Sequence, residues 1–144
     1  MHVVEKSIWI DRSPDEVFIF HVNHVNRESW HQHVVHSEMI TPGPIQVGSR
    51  FTIDTITAGR IYPLEIEITA FEPTRYYAYR SYAANAITDS HQTFEAEDGG
   101  TRFRLRIEIN FRGFAKPFGW LILKLGLERH FAQAVREIKE EMEK

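Results

Sequence analysis

Imidazole side chains are concentrated near the start of this chain. Residues 21–36, HVNHVNRESWHQHVVH, contain five of the eight histidines. Neighbouring imidazoles can bind a metal ion or transfer protons, because the ordinary histidine pKa of about 6.5 lies close to neutral pH. The five residues are His21, His24, His31, His33 and His36.

The residues around these histidines leave three roles open. The stretch lacks the HExxH spacing of zinc proteases, the chain has no cysteine, and only Glu28 and Glu38 offer carboxylates nearby. A metal site, a pH-sensitive cluster and solvent-exposed imidazoles near the mouth of a binding site are the hypotheses. We predict neither a metal nor a cofactor.

Outside this stretch, His91 and Tyr79 are candidates for general acid/base catalysis. No Ser-His-Asp or Cys-His order indicates a covalent nucleophile, and no glycine-rich phosphate loop is present. Catalytic residues are therefore left unassigned.

Composition and charge exclude several classes of protein. The 144 residues carry a formal charge of −3, and Lys and Arg are scattered among Asp and Glu, so nucleic acid is not an expected partner. The first residues do not resemble a signal peptide, and the most apolar run, 111–127, is interrupted by charged residues, glycine and proline. We expect one cytoplasmic domain, residues 1–144, without a transmembrane segment, as a monomer or homodimer.

Hydrophobic patterns predict the strands and helices that carry the candidate residues. HVVEKSIWI is typical of a first strand, and Ser13, Pro14 and Glu16 form a capping-box pattern that predicts a helix from Pro14 to about Asn23. On this helix the apolar side includes His21, and NRESWHQ predicts a further short helix.

From residue 34 the period becomes two, which predicts strands. YPLEIEITAFE and TRFRLRIEINF alternate apolar and polar residues, and the segment Asp98, Gly99, Gly100 predicts a tight hairpin turn between the last two strands. Residues 115–144 then predict one long amphipathic helix, with a kink or a close approach at Gly126. An antiparallel sheet with one apolar face and a single long helix can bury each other's apolar surface if the sheet curls around the helix.

This order of elements resembles the superfamily of polyketide cyclase/dehydrase-like proteins, steroidogenic-acute-regulatory-related (START) lipid-transfer domains and birch-pollen-allergen-like proteins. The motifs that carry the resemblance are IxRSPDEVF, NRESW, VGSRF, AFEPTRYYAYR and FEAEDGGTRF. The resemblance implies an α+β helix-grip fold, in which a curved antiparallel sheet of six to seven strands wraps around a long C-terminal helix and two short helices follow the first strand. It also implies a cavity between sheet and helix for a mainly apolar small molecule.

Strand alternation predicts which residues line that cavity. Parity carried back along AITDSHQTFEAE turns Gln92, Ser90 and Thr88 inward with Phe94, unless a bulge or a frayed end breaks the alternation. In YYAYRSY, either Tyr77 and Tyr79 or Tyr76, Arg80 and Tyr82 face inward. The predicted ligand-binding residues are Trp30, Phe51, Ile53, Leu64, Ile66, Tyr79, Arg80, Ser90, Gln92, Phe94, Leu121 and Leu125.

Two of these residues have alternative roles. An inward Arg80 would bind an anionic ligand group, whereas an outward one would pair with Glu67 or Glu95. Trp30 either closes the cavity mouth, as the resemblance implies, or packs in the core.

The sequence leaves three functions open. The first is binding of a hydrophobic small molecule such as a lipid, isoprenoid, quinone or polyketide-like aromatic. The second is a cyclase or dehydratase that uses an acid/base group in the cavity, and the third is a protein-docking or chaperone-associated module.

Overall fold

The computed structural model describes residues 1–23, 34–57 and 59–144. In chain order they form β1 (His2–Ile10), α1 (Pro14–Val22), β2 (Val34–Met39), β3 (Arg50–Thr57), β4 (Arg60–Glu72), β5 (Tyr76–Tyr82), β6 (Ala86–Glu97), β7 (Gly100–Phe111), a 3₁₀ segment (Gly113–Phe118), α2 (Gly119–Ile122), a wide helical turn (Leu123–Leu127) and α3 (Glu128–Met142). The second short helix predicted from NRESWHQ lies outside the described residues.

All seven strands belong to one antiparallel sheet in the order β1-β7-β6-β5-β4-β3-β2. Each consecutive pair from β2 to β7 is joined as neighbours, and β1 returns to pair with β7 along its whole length. The predicted α+β helix-grip fold, with a curved sheet and a C-terminal helix, is confirmed.

α1 begins where the capping pattern predicts. Ser13 has extended backbone angles and its Oγ accepts a hydrogen bond of 3.3 Å from the Glu16 amide, while Pro14 occupies the first helical turn. The helix ends at Val22, and it buries Val17, Phe18 and His21 against the sheet.

The β6–β7 pair is continuous, and this fixes the direction of every side chain on it. Pairing runs without a register shift from Ala86–Phe111 to Glu97–Gly100. Asp98 and Gly99 both have positive φ, as the predicted tight turn requires. The alternation of β7 is confirmed, because Phe103, Leu105, Ile107 and Ile109 are all buried.

The C-terminal region differs from the single helix predicted over 115–144. Residues before Glu128 form short, irregular helical pieces, with Pro117 inside the 3₁₀ segment and non-helical backbone at Gly126. The predicted kink is therefore confirmed, whereas a close approach is not its cause, since a β-carbon on Gly126 would meet nothing within 4 Å. The prediction of one continuous helix is wrong, because the backbone leaves helical angles at Gly126 and residues Gly113–Phe118 form a 3₁₀ segment.

α3 is the helix that packs against the sheet. Its Val135 and Ile138 are buried in the core. At its end, Lys139 Nζ donates to the Trp9 carbonyl oxygen at 2.7 Å and to Glu143 at 2.7 Å, and the Asp11 amide also donates to Glu143. These bonds hold the pKa of Glu143 below its ordinary value.

Within the described part of the chain, no helix combines the length and the apolar character needed to cross a membrane.

Candidate ligand-binding site

A cavity of about 260 Å³ lies between the inner face of the sheet and α3. Most of the side chains around it are apolar and come from β2 to β4, β7 and the C-terminal region. They are Val34, Ile53, Leu64, Ile66, Leu105, Ile107, Leu127, Phe131, Ala134 and Ile138. Such walls favour an apolar ligand, because covering them removes apolar surface from water.

Polar groups interrupt these walls mainly along β6. Thr88, Ser90 and Gln92 all face the cavity, as the parity of the strand predicts. The alternative of a bulge or frayed end is wrong here, because β6 pairs with β5 and β7 without a register shift over these residues. A few polar groups among apolar walls can fix the orientation of a bound molecule.

Gln92 is the polar group most in need of a partner. Its side chain is 0% exposed, and both amide atoms, Oε1 and Nε2, have no hydrogen-bond partner among the described residues. The amide offers two donors and one acceptor. Leaving such a group buried and unbonded lowers the free energy of unfolding by about 1–3 kcal/mol.

His21 is buried beside the same cavity and is 5% exposed. Its ring centroid lies 5.1 Å from that of Phe103, 5.9 Å from Phe94 and 6.0 Å from Tyr77. The expectation of a solvent-exposed imidazole is therefore wrong for this histidine. Its spacing from Val17, four residues earlier on the helix, was the signal, since that spacing places both on one helix face.

A second imidazole at the cavity, that of His130, was missed by the sequence reasoning. His130 precedes Phe131 and follows Leu127 by three residues on the helical stripe that faces the sheet. That spacing was the available signal. The described cavity thus has an imidazole from α1, another from α3 and the phenol of Tyr79 on β5.

Six of the predicted ligand-binding residues border the cavity: Ile53, Leu64, Ile66, Tyr79, Ser90 and Gln92. Phe51 and Phe94 are buried in the hydrophobic core instead, where Phe94 contacts the rings of Phe18 and Phe103. Trp30 lies outside the described residues, as does the side chain of Leu125.

Two predicted positions need correction. Arg80 lies on the outer face, where its Nε donates to Asp89 at 2.8 Å, and this hydrogen bond raises the pKa of Arg80. The inward reading is wrong because Tyr77 and Tyr79 occupy the inner face of β5, and the predicted partners Glu67 and Glu95 are replaced by Asp89. Leu121 is 37% exposed, since the irregular backbone before Glu128 turns it away from the cavity.

His91 lies on the outer face of β6, opposite in direction to Gln92. Its Nε2 lies 2.7 Å from the Glu108 carboxylate and its Nδ1 lies 2.5 Å from the Tyr76 hydroxyl. Because a carboxylate only accepts, Nε2 carries the proton and Nδ1 of a neutral ring accepts the Tyr76 hydroxyl. This trio borders an open groove on the outer face and has no access to the cavity.

The other predicted histidines contribute little to the described site. His36 is exposed and lies 3.5 Å from Glu38, whereas His24, His31 and His33 lie outside the described residues. Over residues 1–23, 34–57 and 59–144, no group of three or more His, Asp or Glu side chains is arranged to hold a metal ion.

The comparisons with known proteins show the family to which this chain belongs. The family model described as "Polyketide cyclase / dehydrase and lipid transport" matches residues 1–143, so the chain belongs to that family. Membership supports a role in ligand binding or in cyclase chemistry. A search of curated protein sequences found no significant match.

Solved structures share the fold at low identity. The Zhui aromatase/cyclase from Streptomyces sp. R1128 is 16% identical, with a TM-score of 0.83 over 99% of this chain and 93% of that one. The protein TTHA0849 from Thermus thermophilus is 15% identical, with a TM-score of 0.79 over 98% and 97% of the two chains. One half of the di-domain ARO/CYC StfQ of the steffimycin biosynthetic pathway matches as well, at 15% identity and a TM-score of 0.81, over 98% of this chain and 50% of that one.

Proposed function

We propose that this protein binds a small, mainly apolar molecule that carries at least one hydroxyl or carbonyl group. The observation that supports this most directly is the amide of Gln92, which is buried and unbonded at the wall of an apolar cavity. A ligand hydroxyl or carbonyl beside this amide would supply the missing hydrogen bond. The apolar remainder of the ligand would cover the walls formed by strands and α3.

The cavity volume limits the size of the ligand. A dry apolar cavity of about 150 Å³ accommodates benzene. At about 260 Å³ the present cavity has room for a ligand of one or two fused rings, or an apolar chain of similar volume. Among the classes predicted from sequence, a polyketide-like aromatic or a quinone ring fits this limit better than a complete lipid.

The test uses two probes that differ in one hydroxyl group. We expect 2-naphthol to bind to the protein more tightly than naphthalene by about fivefold, the equivalent of one net hydrogen bond. In the variant Gln92→Met, which keeps the side-chain length, this preference should disappear while naphthalene still binds. Fluorescence titration of both probes measures the dissociation constants.

The matched control is Thr93→Val, the next residue on β6, which faces outward. It should leave both affinities unchanged. Failure of either probe to bind, or a preference for 2-naphthol that survives in Gln92→Met, would contradict the proposal. Native mass spectrometry of freshly purified protein complements this test, because a discrete excess mass would identify a co-purified ligand.

A second candidate function is catalysis of a cyclisation or dehydration. The observation that favours it is the presence of two imidazoles, His21 and His130, and the Tyr79 phenol around one apolar cavity. An imidazole can take a proton from a carbon between two carbonyl groups, and a phenol can donate one to a departing hydroxyl. Of the three solved structures compared above, the Zhui protein and StfQ are described as aromatase/cyclases.

This candidate is tested with a synthetic poly-β-ketone thioester and mass spectrometry of the products. A catalyst would convert it to a cyclised product lacking one water molecule, and His130→Gln would slow conversion while leaving binding of 2-naphthol intact. Conversion at the rate of the buffer control would exclude this function and leave the binding proposal standing. Cytoplasmic location, a single domain and a monomeric or homodimeric state remain predictions.

A further inference from the structure

The segment before α3 presents aromatic side chains to solvent. Over residues 112–124, which we call the aromatic segment, Phe114 is 98% exposed, Trp120 is 59% exposed and Phe118 is 55% exposed. Leu121 adds further apolar surface beside them. Several large exposed apolar residues in one short segment mark an interaction surface more often than scattered single ones do.

The charge of this segment is opposite to that of the whole chain. Arg112, Lys116 and Lys124 are exposed, and no Asp or Glu occurs between Glu108 and Glu128. The whole protein, in contrast, has a formal charge of −3. This segment therefore carries only positive charges where the aromatic side chains are exposed, and the partner for such a surface is apolar and negatively charged.

The exposure of these rings follows from a fixed backbone. A β-carbon on Gly119 would lie 2.6 Å from both the His2 ring and the Phe111 ring, so the backbone of α2 is seated directly on β1 and β7. Those two rings also pack edge to face. Because Gly119 is held against the sheet, its neighbours Phe118 and Trp120 point away from it into solvent.

We propose that the aromatic segment docks this protein onto an anionic lipid membrane. Tryptophan and phenylalanine partition into the interface between headgroups and acyl chains, and lysine and arginine side chains reach the lipid phosphates. Lys124 Nζ lies 5.7 Å from the Trp120 ring centroid, which places a cation beside an interfacial aromatic ring. The docking does not depend on the identity of the cavity ligand.

A membrane fits this segment better than a protein partner does. A protein partner would have to supply a groove for these side chains. A bilayer interface can accept side chains that project from one short stretch of backbone without such a groove. The combination of bulky aromatic rings with three cations matches the boundary of a bilayer that contains acidic lipids, where each basic residue strengthens binding about fivefold.

The proposal is tested by sedimentation of the full chain with vesicles. We expect binding to vesicles containing phosphatidylcholine and phosphatidylglycerol, and much weaker binding to phosphatidylcholine alone. Raising the salt concentration from about 0.1 M to about 1 M should release the protein, because it shortens the screening length from about 10 Å to about 3 Å. The double variant Lys116→Gln, Lys124→Gln should bind about 25-fold more weakly.

Variants in exposed aromatic residues separate docking from charge attraction alone. Phe114→Ser with Trp120→Ser should weaken vesicle binding at least about tenfold, because both side chains leave the bilayer interface. The matched control is Ile61→Ser with Tyr62→Ser, which removes two exposed apolar side chains from β4. Thermal unfolding of each variant confirms that the fold is retained.

Three outcomes would overturn the proposal. One is that the wild-type protein fails to bind anionic vesicles. Another is that the control pair weakens binding as strongly as the Phe114 and Trp120 pair does. The third is that sedimentation velocity shows a dimer that Phe114→Ser with Trp120→Ser dissociates, since a second copy of the chain would then be the occupant of this surface.

Discussion

The two faces of β6 treat their polar side chains in opposite ways. On the outer face, Asp89 binds Arg80, His91 binds Tyr76 and Glu108, and Glu95 binds Arg104. On the inner face, Gln92 is fully buried and both of its amide atoms are unbonded among the described residues. The charged side chains named on the outer face of β6 are therefore paired, whereas the buried amide on its inner face is not.

This difference indicates where a ligand contributes binding energy. Exposed ion pairs are worth at most about 1 kcal/mol each, since water competes for both charges. A ligand that displaced one of these ion pairs would therefore gain little binding free energy. A buried amide without a partner gains a full hydrogen bond from a ligand, and water is already excluded around it. The inner face is thus the favoured binding surface, although the outer face carries most of the charged residues.

The largest expected effect contrasts two neighbours on β7. Phe103→Ala should lower the free energy of unfolding by about 3–5 kcal/mol, because the ring is 0% exposed and its removal leaves a cavity. Arg104→Ala should lower it by less than about 1 kcal/mol, because its side chain is half exposed and loses only the pair with Glu95. Urea denaturation of both variants measures these changes.

Equal losses of unfolding free energy from the two substitutions would contradict the expected difference between the inner and the outer face. They would mean that the outer-face ion pairs stabilise the sheet as strongly as the aromatic core does. Both variants introduce alanine at adjacent positions of β7, and the difference in strand propensity between Phe and Arg, at most about 1 kcal/mol, is smaller than the expected contrast.

A smaller effect of opposite sign is expected at Gln92. In protein freed of any co-purified ligand, Gln92→Met should raise the free energy of unfolding by about 1–3 kcal/mol, because it removes a buried amide that has no hydrogen bond. The cavity walls remain apolar and of similar volume. Urea denaturation of wild-type and variant protein, both refolded without ligand, measures the gain.

Thr93→Val is again the control, and we expect it to change the unfolding free energy by less than about 0.5 kcal/mol. A Gln92→Met protein that is less stable than wild type would show that the amide has a structural role. That result would remove the main support for a ligand hydrogen bond at this position.

Periodic sequence patterns predicted most of this fold. The alternation in TRFRLRIEINF placed Phe103 and Leu105 inward, and the parity of β6 placed Ser90 and Gln92 inward, because period-two patterns survive wherever pairing is continuous. The cap at Ser13 and the turn at Asp98 were predictable for a similar reason, since each depends only on residues close in sequence.

Other features depended on contacts that the sequence does not specify. Tyrosines occur on both faces of YYAYRSY, so only the observed register shows that Tyr79 faces the cavity and Arg80 does not. Helical spacing also continued through Pro117 and Gly126, although the backbone there is irregular, and this put Leu121 on the wrong side. The absence of a partner for Gln92 among the described residues is a three-dimensional fact that no pattern contains.

The smallest expected effect concerns pH and the outer-face trio. Burial, followed by the charges of Glu108, Glu72 and Asp89, raises the pKa of Tyr76 above its ordinary value of about 10. The folded protein therefore holds the phenol proton more tightly than the unfolded chain does. The resulting stability is fully present below about pH 10 and is lost as the pH rises toward the folded-state pKa.

Tyr76→Phe removes this titration and should make stability fall less steeply between about pH 10 and pH 11 than in the wild type. Urea denaturation at several alkaline pH values measures the two slopes, with Tyr62→Phe, which alters an exposed phenol on β4, as the matched control. Parallel slopes for wild type and Tyr76→Phe would contradict the raised pKa. They would also show that the polar groups of the outer face are more hydrated than their hydrogen bonds indicate. The difference in solvation between these groups and the buried amide of Gln92 would then be larger.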